Sequence, residues 1–241
     1  IMCMNSKLGC DYNENAKPKI QNLENKLKDL SVLIKDLMNK YGKLACNHSI
    51  GETSLSGGWC SQISGRNSTK HLTDYNLAKF ISSFLAGKCM ASFGDGPGVH
   101  KEYILNLAQV KCYDAFDGAP FAKETTDGRV EFLDLSVPVY HLKQYDWIMS
   151  LEVAEHIPVE FESVFIDNIV RHAKEGIILS WSREGQGGHS HINNRNFQYV
   201  KEKLEQKGFI HNQNFSDQFQ TNANLFWLKN NINVYIRSNL T

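Results

Sequence analysis

Five side chains could do chemistry together. Glu152, Glu155 and His156 stand in the run Ser150-Leu151-Glu152-Val153-Ala154-Glu155-His156-Ile157-Pro158, and His189 and His191 follow in a glycine-rich stretch. Carboxylates and imidazoles bind divalent cations and carry protons. At spacing i, i+3, i+4, Glu152, Glu155 and His156 would share one face of a helix. With His191 closing the set from a later loop, or His189 in its place, the donors suit Mn, Mg, Co, Fe or Zn. A cation there would lower the pKa of a bound alcohol, which is otherwise a poor acid. Without a cation, His191 is the candidate general base, and His189 and His156 are the other candidate catalytic side chains. The ordinary alternatives are that Glu152 holds a cofactor, Glu155 caps or solvates, and His156 hydrogen-bonds in the core.

From Leu72 onward the chain alternates short apolar runs with amphipathic ones. Strands are expected near 89–93, 110–113, 130–133, 147–151 and 176–181, with two closing strands near 209–214 and 232–237. Helices are expected near 73–85, 100–108, 159–173 and 194–207. Such alternation builds a parallel, doubly wound α/β sheet, and ligands bind beyond the carboxyl ends of its strands. The Glu152–His156 cluster falls at such an end.

A second constellation falls there too. Phe93-Gly94-Asp95-Gly96-Pro97-Gly98 sits between a strand and a helix, where glycines let the backbone turn sharply and approach a ligand. Asp114, on the next expected strand, could hold both hydroxyls of a ribose. That arrangement serves a nicotinamide or an adenosyl cofactor equally. Three details favour the adenosyl cofactor. Val99 stands where the dinucleotide pattern has its third glycine; Asp134, with Leu135 beside it, ends the third strand where an adenine amino group would lie; and the fourth strand ends in Ser150, Leu151 and Glu152, not an apolar wall.

Over residues 72–237 the chain resembles the class I S-adenosylmethionine-dependent methyltransferases. Gly94, Asp95, Gly96 and Gly98 resemble their first motif, Asp114 their acidic ribose ligand, Asp134 their adenine-side aspartate, and Asp146-Trp147-Ile148-Met149-Ser150-Leu151-Glu152 their fourth motif. Ser150–Pro158, Ser180-Trp181 through Gly185-Gln186-Gly187-Gly188, and His191-Ile192-Asn193 are similar to one subgroup's set. The Glu-x-x-Glu-His run with a distant His is similar to the metal sites of small-RNA 3′-end 2′-O-methyltransferases and of quinone-biosynthesis O-methyltransferases. The resemblance implies a Rossmann-like, seven-stranded methyltransferase sheet with helices on both faces. It also implies S-adenosylmethionine as cofactor, and metal-assisted O-methylation with Mn or Mg. The expected cation ligands are Glu152, Glu155, His156 and His191.

Upstream, residues 17–44 carry a heptad. Ile20, Leu27, Ile34 and Tyr41 occupy one position, and Leu23, Leu30, Leu37 and Leu44 the position three residues on. Ile and Leu in those places favour two parallel strands, so a coiled-coil stem over residues 1–45, a catalytic domain over 46–241 and a homodimer through 20–44 are expected. The alternative is one amphipathic helix lying on the catalytic domain. Cys3 and Cys10 could cross-link two stems. Cys46 and Cys60 could close a Ser/Gly-rich loop, a bridge worth about 3 kcal/mol, and Trp59 within it is expected as a core anchor in preference to a lid.

The acidic and basic residues balance at 26 each, so the chain has no basic field for nucleic acid. No apolar run is long enough to span a bilayer, and the start at Ile1-Met2-Cys3 suggests a membrane anchor outside this chain. Six cysteines, together with sequons at Asn47, Asn67, Asn214 and Asn239 in expected loops or termini, point to a secretory-pathway lumen, such as the Golgi. A lumenal enzyme would meet glycan hydroxyls first. A small-molecule acceptor is the alternative, and a catalytically inactive scaffold is the reading from another class.

Overall fold

The structure, a computed structural model, describes residues 16–48, 53–54, 56–60 and 72–238. Cys3, Cys10 and the sequons at Asn67 and Asn239 lie outside the described residues. A long helix α1 (Ala16–His48) comes first, then α2 (Tyr75–Phe84). The sheet begins with β1 (Cys89–Phe93), α3 (Val99–Asn106), β2 (Cys112–Asp117), α4 (Ala122–Thr125) and β3 (Glu131–Phe132). It continues with β4 (Tyr145–Ser150), α5 (Glu162–His172), β5 (Ala173–Ser180), α6 (Phe197–Glu205) and β6 (Phe209–His211). Two further helices, α7 (Gln213–Asn222) and α8 (Phe226–Asn231), precede β7 (Ile232–Arg237). Among the described residues, no helix is long and apolar enough to cross a membrane.

The strand order is β3-β2-β1-β4-β5-β7-β6. β1 through β5 are parallel, and β7 runs antiparallel between β5 and β6. This is a Rossmann-like, seven-stranded sheet with helices on both faces, as expected. The wholly parallel sheet expected from the alternation is corrected by β7. Helices α7 and α8 fill the stretch before it, so the chain returns beside β5 from the opposite end. Neither is expected from the sequence: both are short, and α7 is polar on average.

Central strands are buried on both faces, as parallel sheets require. Along β4, Ile148 faces a layer with Phe165 and Ile177, while Trp147 and Met149 face one with Leu77, Ile81 and Phe219. The order reverses between β1 and β4. Connections there leave in opposite directions and open a crevice at the carboxyl ends.

Helix α1 rests on the catalytic domain. Tyr140 N–H donates to Ser31 Oγ (2.9 Å), Ser31 Oγ meets His141 Nδ1 (2.9 Å), and Asn39 Nδ2 donates to the Pro120 carbonyl (2.7 Å). Lys43 pairs with Glu124, and buried Gly42 lies against Pro120. The boundary expected at residue 45 falls inside this helix, which runs to His48.

Cys46 and Cys60 are bridged, as the loop suggested, and Cys89 is bridged to Cys112 across β1 and β2. Two sequons expected in loops fall on helices: Asn47 near the end of α1, and Asn214 in the first turn of α7. The second is a poor acceptor, because its Ser216 is buried and bonded to the Asn212 carbonyl (2.8 Å).

Candidate functional site

The glycine turn leaves β1 and folds against β2. Gly94 and Asp95 N–H groups donate to the Phe116 carbonyl (2.8 and 2.9 Å). Gly94 has φ +98°, and a Cβ there would meet Val153 Cγ2 at 2.1 Å, so only glycine fits. The turn opens onto a cavity of about 260 Å³ over the crevice.

β2 does not end where the sequence suggested. It runs on to Asp117, and this shifts the acidic ligand. Asp114 stands mid-strand opposite Ala91, where it accepts from Tyr145 Oη (2.9 Å) and pairs with Lys143 (2.9 Å). It does not border the cavity. Asp117 does: Gly96 N–H and Ala119 N–H each donate to its carboxylate at 2.8 Å, fixing it beside the glycine turn. The signal was present in the Asp117-Gly118 pair that ends the alternating run from Cys112.

The other expected cofactor residues divide. Gly94, Gly96, Asp134, Leu135 and Leu151 border the cavity. Asp134 is buried and anchored by Ser136 N–H and Oγ (2.9 and 2.7 Å). Asp95 borders the cavity but is 5% exposed and accepts from Tyr113 Oη, and burial pushes its carboxyl up. Gly98 starts α3 with φ +77°, and Ser150 Oγ donates to the Phe93 carbonyl (2.7 Å), clasping β1 to β4. Neither borders the cavity; both serve the scaffold.

At the end of β4 the chain does not enter an α-helix. Glu152 has φ +57°, and only Ala154–His156 form a single 3-10 turn. The shared helix face expected for Glu152, Glu155 and His156 is therefore absent. They converge by a different route. Glu152 is held by Ser180: its N–H donates to Ser180 Oγ (2.7 Å), which donates back to Glu152 Oε1 (2.8 Å). Glu155 is wholly buried and accepts from Ser182 Oγ (2.8 Å), while its Oε2 has no partner. Burial, reinforced by the neighbouring Glu152 carboxylate, pushes Glu155 up to about 8.

His191 Nε2 lies 4.0 Å from Glu155 Oε1, and the His191 and His156 rings meet edge to face with centroids 5.1 Å apart. His156 Nδ1 bonds the Ser190 carbonyl (3.1 Å), which leaves Nε2 with its lone pair toward the cluster. Burial, then His191, lowers His156 to about 4, and burial lowers His191, so both rings are neutral near pH 7. Ligand atoms of Glu155, His156 and His191 lie within 4.8 Å of one another. Two neutral imidazoles and one carboxyl group, whose Oε2 is buried without a partner, fit a divalent cation. Glu152 borders the cavity beside Glu155 but lies outside that trio, and exposed His189 stacks on Trp59 (centroids 5.3 Å) instead of joining it.

Gly188 explains the glycine-rich loop. A Cβ there would lie 2.1 Å from His191 Nε2. Gly188→Ala is therefore expected to displace the ring and weaken divalent-cation binding roughly 10–100-fold, the usual cost of disturbing a ligand's support, with the melting temperature little changed. Titration calorimetry with Mn would check it.

Trp59 is not the core anchor expected. It borders the cavity, edge to face with His156, in a segment pinned to α1 by the Cys46–Cys60 bridge. Trp227 borders the cavity as well, whereas Trp147 and Trp181 are buried at 6% and 4% exposure.

No family model and no curated protein matches the sequence. Among solved structures, the chain is similar to magnesium protoporphyrin IX methyltransferase (ChlM) from Synechocystis PCC 6803 with bound SAM, at 16% identity over 86% of this chain and 97% of that one (TM-score 0.48). It is similar to the N-methyltransferase NodS from Bradyrhizobium japonicum WM9 at 12% identity over 68% and 93% (TM-score 0.48). It is also similar to the methyltransferase domain of bacterial CtHen1-C at 14% identity over 67% and 96% (TM-score 0.45).

Proposed function

We propose that this chain is an S-adenosylmethionine-dependent O-methyltransferase that acts, with a divalent cation, on the hydroxyl of a sugar ring. The observation that carries the reading is one cavity lined both by the glycine turn, Asp117 and Asp134 and by Glu152, His156 and Trp59. The cofactor, when bound, supplies an electrophilic methyl on a sulfonium, and the cation, when bound, lowers the pKa of the acceptor hydroxyl.

The protein does the positioning. Asp117 receives the ribose hydroxyls, the Gly94–Gly96 turn admits the cofactor closely, and Asp134 with Leu135 lies on the adenine side. Glu155, His156 and His191 would hold the cation, with Glu152 beside Glu155 on the cavity wall. With the cation on its lone pair, His191 cannot serve as base and the acidified acceptor proton would leave to solvent; without a cation, His191, kept neutral by burial, can accept that proton at a ring nitrogen. As the O–CH₃ bond forms, the S–CH₃ bond breaks and the oxygen loses its proton.

Trp59, edge to face with His156 on the cavity wall, supplies an aromatic surface on which a pyranose can pack. Four of the six cysteines are paired, which supports a lumenal compartment and hence a glycan acceptor. Trp59→Ala is expected to raise KM for the acceptor about tenfold, the equivalent of ~1.4 kcal/mol of lost contact, and to leave cofactor Kd unchanged; steady-state kinetics at saturating cofactor would show it.

The test of the reading is transfer of labelled methyl from S-adenosylmethionine to a panel of glycans, with Mn and again with chelator. Metal-dependent labelling of a sugar is the expected result. Labelling that survives chelation would remove the cation and leave His191 as base. Cofactor binding without any glycan labelling would move the acceptor to a small molecule, and no cofactor binding would overturn the reading.

A further inference from the structure

Helix α1 touches its own domain along one narrow face and leaves another uncovered. The docked face carries Ser31, Lys35, Asn39 and Gly42. Roughly 120° around the helix, at about 100° per residue, lies the apolar seam. Most of its members are bare: Ile20 50%, Leu23 59%, Leu27 44%, Leu30 52%, Leu37 55%, Tyr41 50% and Leu44 57% exposed, with Ile34 partly buried. Over a helix about 50 Å long, this is far more contiguous apolar surface than a lone soluble helix leaves in water.

We infer that this seam is a parallel, in-register coiled-coil interface with a second copy of the same chain. The spacing selects the occupant. A stripe that repeats every seven residues is met by knobs-into-holes packing only from another helix with the same repeat, and this chain supplies one. Ile20 and Ile34 at the first core position, with Leu23, Leu30, Leu37 and Leu44 at the second, favour two strands.

Charge sets the direction. The positions flanking the core are Lys19, Lys26, Leu33 and Lys40 on one side, and Glu24, Ser31, Met38 and Ala45 on the other. A parallel pair sets Lys19 against the partner's Glu24, Leu33 against the partner's Met38, and no like charges together. An antiparallel pair would set lysines against lysines. Because Ser31, Asn39, Gly42 and Lys43 fix α1 to its domain, the two catalytic domains would be carried as one rigid body, not on swinging tethers.

The test needs no activity assay: light scattering of the full chain across low micromolar concentrations gives the mass directly. Twice the 27.4 kDa protomer mass is expected. Leu23→Lys, Leu30→Lys and Leu37→Lys together should halve that mass while cofactor binding and helicity persist. A monomeric wild-type chain, or a triple-lysine variant that stays dimeric, would overturn the inference; so would a monomer that gathers on lipid vesicles, since the seam would then face a membrane. Should the triple variant not fold, Leu30→Cys in a Cys3→Ser, Cys10→Ser background is decisive. In-register parallel helices cross-link at that position under mild oxidation, and absence of the cross-linked band would exclude this pairing.

Discussion

Glu155→Gln is expected to lower kcat/KM by about 10³-fold or more, with S-adenosylmethionine binding intact. A cation that polarises the acceptor oxygen contributes several kcal/mol, and each 1.36 kcal/mol is tenfold. Glutamine keeps the shape and the bond from Ser182 but cannot bring a negative charge to the cation. The same substitution should not harm the metal-free fold. Glu155 sits near 4.5 in an unfolded chain and is pushed up to about 8 in the fold by burial and then by Glu152. Between those values the folded protein holds a proton that the unfolded chain has lost. Stability therefore falls as pH rises from about 4.5 to about 8 and levels off above. Glutamine has no such proton, so thermal melts of the metal-free variant should be flatter with pH and no lower than wild type at pH 8. Cation binding, which must displace the same proton, should tighten over that range. Full activity in the variant, or collapse of its fold at every pH, would contradict this account of Glu155.

Asp117→Asn is expected to weaken S-adenosylmethionine binding about a hundredfold. Hydrogen bonds to a charged acceptor contribute roughly 1.5–3 kcal/mol each, and a ribose diol would make two to this carboxylate. The amide also competes poorly for the Gly96 N–H that Asp117 now accepts, so the turn loses some of its anchorage. Asp114→Asn is the matched comparison. It removes the partner of Lys143 and Tyr145 outside the cavity and should change cofactor Kd less than threefold. Calorimetric titration of both variants decides between the two aspartates, and the opposite pattern would reinstate Asp114 as the ribose ligand.

The contrast between those aspartates shows what the sequence reveals and what it hides. Strand β1, with the glycine turn after it, is legible because a five-residue run, four of it buried, leads into glycines that only a sharp turn needs. The end of β2 is not, because Asp114 and Asp117 both fit an alternating pattern and only the register against β1 tells which reaches the carboxyl edge. The cluster of Glu152, Glu155, His156 and His191 was legible as composition and not as geometry. Helical spacing suggested one face, but the backbone at Glu152 turns left-handed, and the side chains meet because Ser180, Ser182 and the loop carrying His191 draw them together. Trp59 was misplaced because nothing local distinguishes an indole in a core from one on a cavity wall; a disulfide to a distant helix decides it.

That disulfide has a consequence for how such a protein changes over time. The residues proposed to hold the cofactor all lie between β1 and β4, while Trp59 comes from a short segment upstream of the sheet, stapled to α1 by Cys46–Cys60. If Trp59 meets the acceptor as proposed, acceptor choice can drift by rewriting its side chain, whereas Gly58, pressed against Gly118 beside Asp117, ties the same segment to the cofactor half and leaves it less free to change.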